Sequence, residues 1–189
     1  MSQQLQALQN NGFLVFRLYG PMASWGEIAV GESRHSATYP SKSALLGLIG
    51  AALGIDRTEE AQLNALASHY RFAIKQCNTG NIMRDYHTTQ VPDSIGKYQY
   101  RSRRDELTLG RDRLGTSLSA REYRTDSVSL IAMAVLDDAP HSLAAIKNAL
   151  LKPTYQLYLG RKSCPLAAPL APQLTRDARD YLAAFTEYD

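Results

Sequence analysis

Residues 158–166 read YLGRKSCPL, which puts a glycine, two adjacent cations, a serine, a cysteine and a proline into one short turn. Two chemistries are open to it. Cys164 becomes a nucleophile if a base or neighbouring cation lowers its pKa. No histidine lies near it in sequence and Pro165 follows it directly, which favours a buried, inert thiol. The other chemistry is anion binding. Gly160 lets the backbone approach a ligand with no Cβ in the way. Backbone N–H groups, Arg161, Lys162 and Ser163 then converge on a phosphate. GRKS by itself completes no phosphate-loop pattern.

A second group is MRDYHTT, with Arg84, Asp85, Tyr86, His87 and Thr88 in succession. Tyr86, His87 and a cation have the groups for metal-free RNA cleavage, one to take a 2′-OH proton and one to steady the phosphorane. On a strand, Arg84 and Tyr86 share one face while Asp85 and His87 share the other. Tyr86 and His87 therefore reach one phosphate only through a twist or bulge. The reading favoured here is a stacking or packing Tyr86 and a structural His87.

A third group is Ser41, Lys42 and Ser43 at the start of a helix, where the dipole favours phosphate. Trp25 either stacks on a base or anchors its loop to the core. Residues 97–124 carry eight Lys or Arg against four acids, a local +4, whereas the rest of the chain holds 13 bases and 14 acids. Here Tyr98, Tyr100 and Tyr123 interleave with Arg101, Arg103, Arg104, Arg111, Arg121 and Arg124, a pattern suited to splayed single-stranded bases. Tyrosines on a hairpin can equally pair across strands, and a basic segment can be a solvated loop. The four histidines are scattered and neither cysteine has a partner at zinc-site spacing, so no metal is expected.

These residues need elements to position them. FLVFRLY (13–19) is a strand ended by Gly20-Pro21. A loop of about twenty residues follows, long enough to be functional. SKSALLGLIGAALG (41–54) is a helix capped by Ser41 and stopped by Gly54. Its internal glycines suggest close backbone packing against a sheet. A second helix covers 58–70. RFAIKQC (71–77) and MRDYHTTQV (83–91) are extended, and 92–124 is an inserted, protruding basic hairpin. DSVSLIAMAVL (126–136) is a strand, 139–151 a helix, YQLYL (155–159) a last short strand, and 175–185 a terminal helix. The order is the βαββαβ pattern of a ferredoxin-like, RRM-like α+β sheet.

The chain has 189 residues and 44% hydrophobic content, enough for one domain with its own core. No apolar run reaches membrane-span length, so no membrane is expected. The start, MSQQLQALQNNG, lacks signal-peptide character. Two cysteines make no disulfide framework, which points to a cytoplasmic protein with reduced thiols.

GPMASWG (20–26), YPSKSALLGLIGAALGI (39–55), MRDYHT (83–88) and LKPTYQLYLGRKSCPLAAPL (151–170) occur in this order. Together they resemble the Cas five family, the CasD-type subunits of type I-E CRISPR Cascade complexes in the RAMP superfamily. The resemblance implies a single RAMP domain over 13–170 with a β-hairpin thumb at about 92–124. Residues 1–12 are then an N-terminal extension and 171–189 a C-terminal tail. It implies a non-catalytic crRNA-binding subunit that caps the 5′ handle of the guide RNA and supports assembly in antiviral defence. It also implies contact with the backbone subunit CasC and the large subunit CasA, and with target DNA through the assembled complex. YLGRKSCP would line the handle site. Relatives in type I-C systems cleave repeat RNA, so a metal-independent endoribonuclease is the alternative.

Overall fold

In Phe13–Tyr19 (β1) the period-2 alternation of a strand divides the side chains between two faces. Leu14, Phe16 and Leu18 enter one apolar cluster, and Phe13 and Val15 enter another. The structure, a computed structural model, describes residues 12–29, 31–93, 99–108 and 110–189. The N-terminal extension up to residue 11, Lys97, Tyr98 and Leu109 lie outside the described residues, as does the Arg111 side chain.

The expected twenty-residue loop carries four two-residue strands: Met22–Ala23 (β2), Trp25–Gly26 (β3), Ser33–Arg34 (β4) and Ser36–Ala37 (β5). Helix Lys42–Leu53 (α1) has the expected caps. Ser41 Oγ accepts from the Ala44 N–H at 3.3 Å, and Gly54 stops the helix at φ +82. Glu60–His69 (α2) follows, then Tyr70–Asn78 (β6), Asn81–Pro92 (β7), a short helix Arg103–Leu107 (α3) and Leu114–Thr125 (β8). Val128–Val135 (β9), Leu143–Leu151 (α4), Gln173–Thr175 (β10) and Tyr181–Tyr188 (α5) complete the order.

The main sheet is antiparallel in the order β10-β1-β9-β6. One face of β1 and β9 packs on α1, α2 and α4 through Leu45, Ile49, Leu66 and Ile146. The other packs on α5 through Ala184 and Phe185. A large apolar side chain buried fully, such as Phe13 or Phe16, contributes about 1.5–3 kcal/mol.

β7 and β8 pair without interruption from Asn81↔Thr125 to Pro92↔Leu114. The paired arms therefore include residues 81–91, which the sequence reading places before the insertion. β7 has no buried residue, and β8 buries only Glu122 and Tyr123, near the end that β2 and β4 flank.

Two expectations fail. YQLYL is no strand. The N–H groups of Thr154 and Tyr155 bond to the Ala52 and Ala51 carbonyls at the end of α1, at 3.0 and 3.1 Å, and only Tyr158 makes an isolated bridge, to Pro165. The place beside β1 goes to Gln173–Thr175. The α1 glycines are not packed tightly on a sheet either. A Cβ on Gly47 would meet nothing within 4 Å, and one on Gly50 would make only ordinary contact with Leu63 at 3.8 Å.

Candidate nucleic-acid interface

Gly160 sits at φ +85, a conformation that side chains rarely adopt, and a Cβ there would fall 1.8 Å from the Ser24 carbonyl oxygen. That approach is held by the Ser24 N–H, which donates to Leu159 O at 3.0 Å. The loop closes on itself, with the Leu159 N–H on Cys164 O and the Cys164 N–H on Arg161 O, both at 2.8 Å. Cys164 is fully buried, and burial raises its pKa despite hydrogen bonds and the nearby Arg161 charge. The thiol is thus a packing group.

The tight turn brings the Arg161 guanidinium over the Tyr123 ring, 5.0 Å from its centroid, a cation–π arrangement. Its Nη1 is buried and has no hydrogen-bond partner among the described residues. Lys162 is exposed and Ser163 Oγ lies 3.9 Å from Cys164 Sγ.

A cleft of about 640 Å³ opens between this segment and α1. It brings together Ser41, Ser43, Gly160 and Arg161 from two of the sequence-predicted groups. The Ser41 and Ser43 hydroxyls are 2.9 Å apart at the helix start. Lys42 is directed elsewhere: its Nζ donates to Ala67 O at 2.6 Å, near the C-terminus of α2. The cleft also contains Arg57, Tyr155, Gln156 and Tyr158, which sequence reasoning did not select. The available signal was the aromatic pair in YQLYL just before the glycine turn.

Trp25 is corrected as an RNA contact. Only 4% of it is exposed, in the same core cluster as Leu45 and Ile49, so its ring offers no face to a base.

On the hairpin the ladder from residue 84 to 87 is regular, with Arg84↔Glu122, Asp85↔Arg121, Tyr86↔Ala120 and His87↔Ser119. No bulge turns Tyr86 and His87 to one side. Tyr86 is 70% exposed, and His87 Nδ1 lies 3.7 Å from Asp85 Oδ2. Arg84 Nε donates to Glu122 Oε1 at 3.0 Å, His35 Nδ1 lies 3.2 Å from Oε2, and the Ser36 N–H donates to Oε2 at 3.4 Å. Burial opposes ionisation of Glu122, and these bonds outweigh it, so its pKa lies below the ordinary carboxylate value.

The basic segment divides. Arg103 is spent inside the protein, on Glu106 and on Gln90 O, both at 2.6 Å. Arg101 and Arg104 are exposed. Arg121 is half-buried, and Arg124 Nε is buried without a partner among the described residues. Among the described residues, no group of three or more His, Cys, Asp or Glu is placed to hold a metal ion and no helix is long and apolar enough to cross a membrane.

Residues 13–189 match the family model for CRISPR-associated protein (Cas_Cas5). The CRISPR system Cascade subunit CasD of Escherichia coli (strain K12) is 35% identical over 170 residues, covering 84% of this chain and 69% of that one. A solved chain of a CRISPR RNA-guided surveillance complex aligns with TM-score 0.60 at 28% identity, covering 84% of this chain and 61% of its own. A crystal structure of a Cas protein aligns with TM-score 0.55 at 26% identity, covering 86% and 62%. The chain thus spans about three-fifths of the length of these solved chains.

Proposed function

The chain belongs to the Cas five family of CRISPR-associated proteins, and on that premise we propose that it is a non-catalytic crRNA-binding subunit of a type I-E Cascade surveillance complex. It caps the 5′ handle of the guide RNA in the cytoplasm and supports complex assembly in antiviral defence. The observation that carries this reading is the 35% identity to the Cascade subunit CasD over most of both chains.

The sheet order fits a ferredoxin-like RAMP domain, with β7 and β8 as the thumb. CasC, CasA and, through the complex, target DNA are the partners. Ser41, Ser43, Gly160 and Arg161 form the handle contact on the palm, with Lys162 and Ser163 at its edge. Arg84, Tyr86, His87, Arg101, Arg104, Arg111, Arg121 and Arg124 serve the thumb. Lys42 and Arg103 act through the elements they tie together. The endoribonuclease alternative gains no support from a ladder that keeps Tyr86 and His87 on opposite faces.

The test is incubation of the full chain, in EDTA, with labelled repeat RNA and with the isolated 5′ handle. Handle binding without scission is expected. A discrete cut within the repeat, lost on His87→Ala, would overturn the non-catalytic reading.

A further inference from the structure

β6 is an outer strand of the main sheet, and among the described residues it pairs only with β9. A strand with one neighbour leaves the N–H and C=O of alternate residues pointing outward. The register with β9 is regular from Tyr70 to Gln76, and the shift falls beyond it, between Gln76 and Asn78. No proline interrupts the strand. β9, inside the sheet, is buried from Ser129 to Val135, whereas β6 buries only Tyr70. Beside this edge Tyr39, Phe72, Ile74 and Gln76 line a notch of about 250 Å³. Tyr39 is 55% exposed, so the notch is open, and Phe72 and Ile74 are half-buried against the core. The notch is smaller than the roughly 300–1,000 Å³ of small-ligand sites, so it suits a side chain better than a free ligand.

The other face of β6 carries charge. Arg71, Ala73 and Lys75 alternate with Phe72 and Ile74, and the strand holds no acid. Arg71 is exposed, with Nη1 donating to Ser68 O at 2.8 Å and to Tyr70 O at 3.1 Å. Lys75 Nζ pairs with Asp189 at the end of α5, and both side chains are partly exposed. A second copy of β6 matches this edge poorly. Antiparallel pairing centred on Ala73 would set Arg71 of each copy opposite Lys75 of the other, and like charges directly opposite are destabilising. A strand with acids at those positions reverses the sign. We propose that the outer edge of β6 receives an extended segment of a protein partner as a fifth strand of the main sheet. Its alternate residues are apolar, one entering the notch beside Tyr39, and those between them are acidic and meet Arg71 and Lys75. Main-chain bonds supply affinity in such strand addition, and the notch and the cations supply specificity. The inference stands independently of the RNA-binding reading.

The test titrates the full chain with a labelled peptide, acetyl-Ser-Glu-Ile-Glu-Val-Glu-Ser-amide, read by fluorescence anisotropy and by amide hydrogen exchange. Exchange should slow in residues 71–76 when the peptide is bound. Only every second amide of an added strand faces its neighbour. Of two peptides N-methylated on alternate amides, one should therefore bind like the parent and the other at least tenfold more weakly. Lysine in place of each glutamate should weaken binding at least tenfold. Tyr39→Ala should keep the wild-type circular dichroism, since Tyr39 is exposed, and bind the parent peptide at least threefold more weakly. No slowing of exchange in residues 71–76 at the highest peptide concentration would overturn the proposal. Equal binding of the two N-methylated peptides would do the same, as would indifference to charge or to Tyr39→Ala. Dimerisation of the chain alone, with residues 71–76 protected in the dimer, would assign the edge to a second copy and also overturn it.

Discussion

Arg84 and Glu122 face each other across the hairpin ladder, and Arg84 Nε donates to the buried Glu122 carboxylate at 3.0 Å. The same carboxylate takes His35 and the Ser36 N–H, and the Glu122 carbonyl accepts from Ser24 Oγ at 3.2 Å. Ser24 in turn holds Leu159 and crowds Gly160. One acidic residue thus ties the base of the hairpin to the loop that carries Arg161.

Glu122→Gln is expected to destabilise the protein by on the order of 1–3 kcal/mol at neutral pH, the range for lost charge-assisted bonds. The folded-state pKa of Glu122 is lowered from 4.5, so its contribution is fully present above that value. It is lost as pH falls through the lower folded value. Urea titrations at pH 7 and pH 3 check this. The gap between wild type and variant should shrink on acidification, and a gap of constant size would contradict the role given to Glu122.

Gly160→Ala should cost at least about 2 kcal/mol, because positive φ strains any side chain and the Cβ meets a backbone oxygen that cannot swing away. The denaturant midpoint should fall with the m-value unchanged. A midpoint equal to that of wild type would mean the loop has another accessible conformation.

The two thiols should differ in reactivity. Cys77 is exposed, while Cys164 is buried with a raised pKa. Iodoacetamide followed by intact-mass measurement should add one group to the native protein and two in denaturant. Native labelling of Cys164 would reopen it as a reactive group.

Local signals were sufficient for some elements and not for others. Ser41 and Gly54 cap α1 through bonds to residues within one turn, so composition and spacing alone place that helix. The alternation of residues 84–87 follows from strand geometry and survives because the ladder has no bulge. YQLYL has the composition of a strand, yet its neighbouring N–H groups satisfy the end of α1, about a hundred residues earlier. No local rule prefers Gln173–Thr175 as the edge strand. Glu122 reads in sequence as one acid among many cations. Its weight comes from burial, which depends on Ser24, Ser33–Arg34 and Ser36 meeting β8. Likewise Arg57 and Tyr155 become neighbours of the GRKS turn only when α1 and the 154–161 segment come together.

Arg161 and Lys162 belong to one turn, and salt dependence is expected to separate them from the basic hairpin. Arg161 lines the cleft under a cation–π contact, and Lys162 is exposed beside it. Each cation that neutralises a phosphate of single-stranded RNA adds about 0.7 to the slope of log affinity against log salt. Arg161→Gln with Lys162→Gln should therefore lower the slope by up to ~1.4 and weaken handle binding at low salt. Arg101→Gln with Arg104→Gln, both exposed, should act independently, since the two groups lie on separate segments of the fold. Affinities measured between 50 and 300 mM salt, roughly the range over which counterion release dominates, check both. An unchanged slope for the Arg161 and Lys162 pair would remove this turn from the RNA interface and leave Gly160 with a purely structural reason for being glycine.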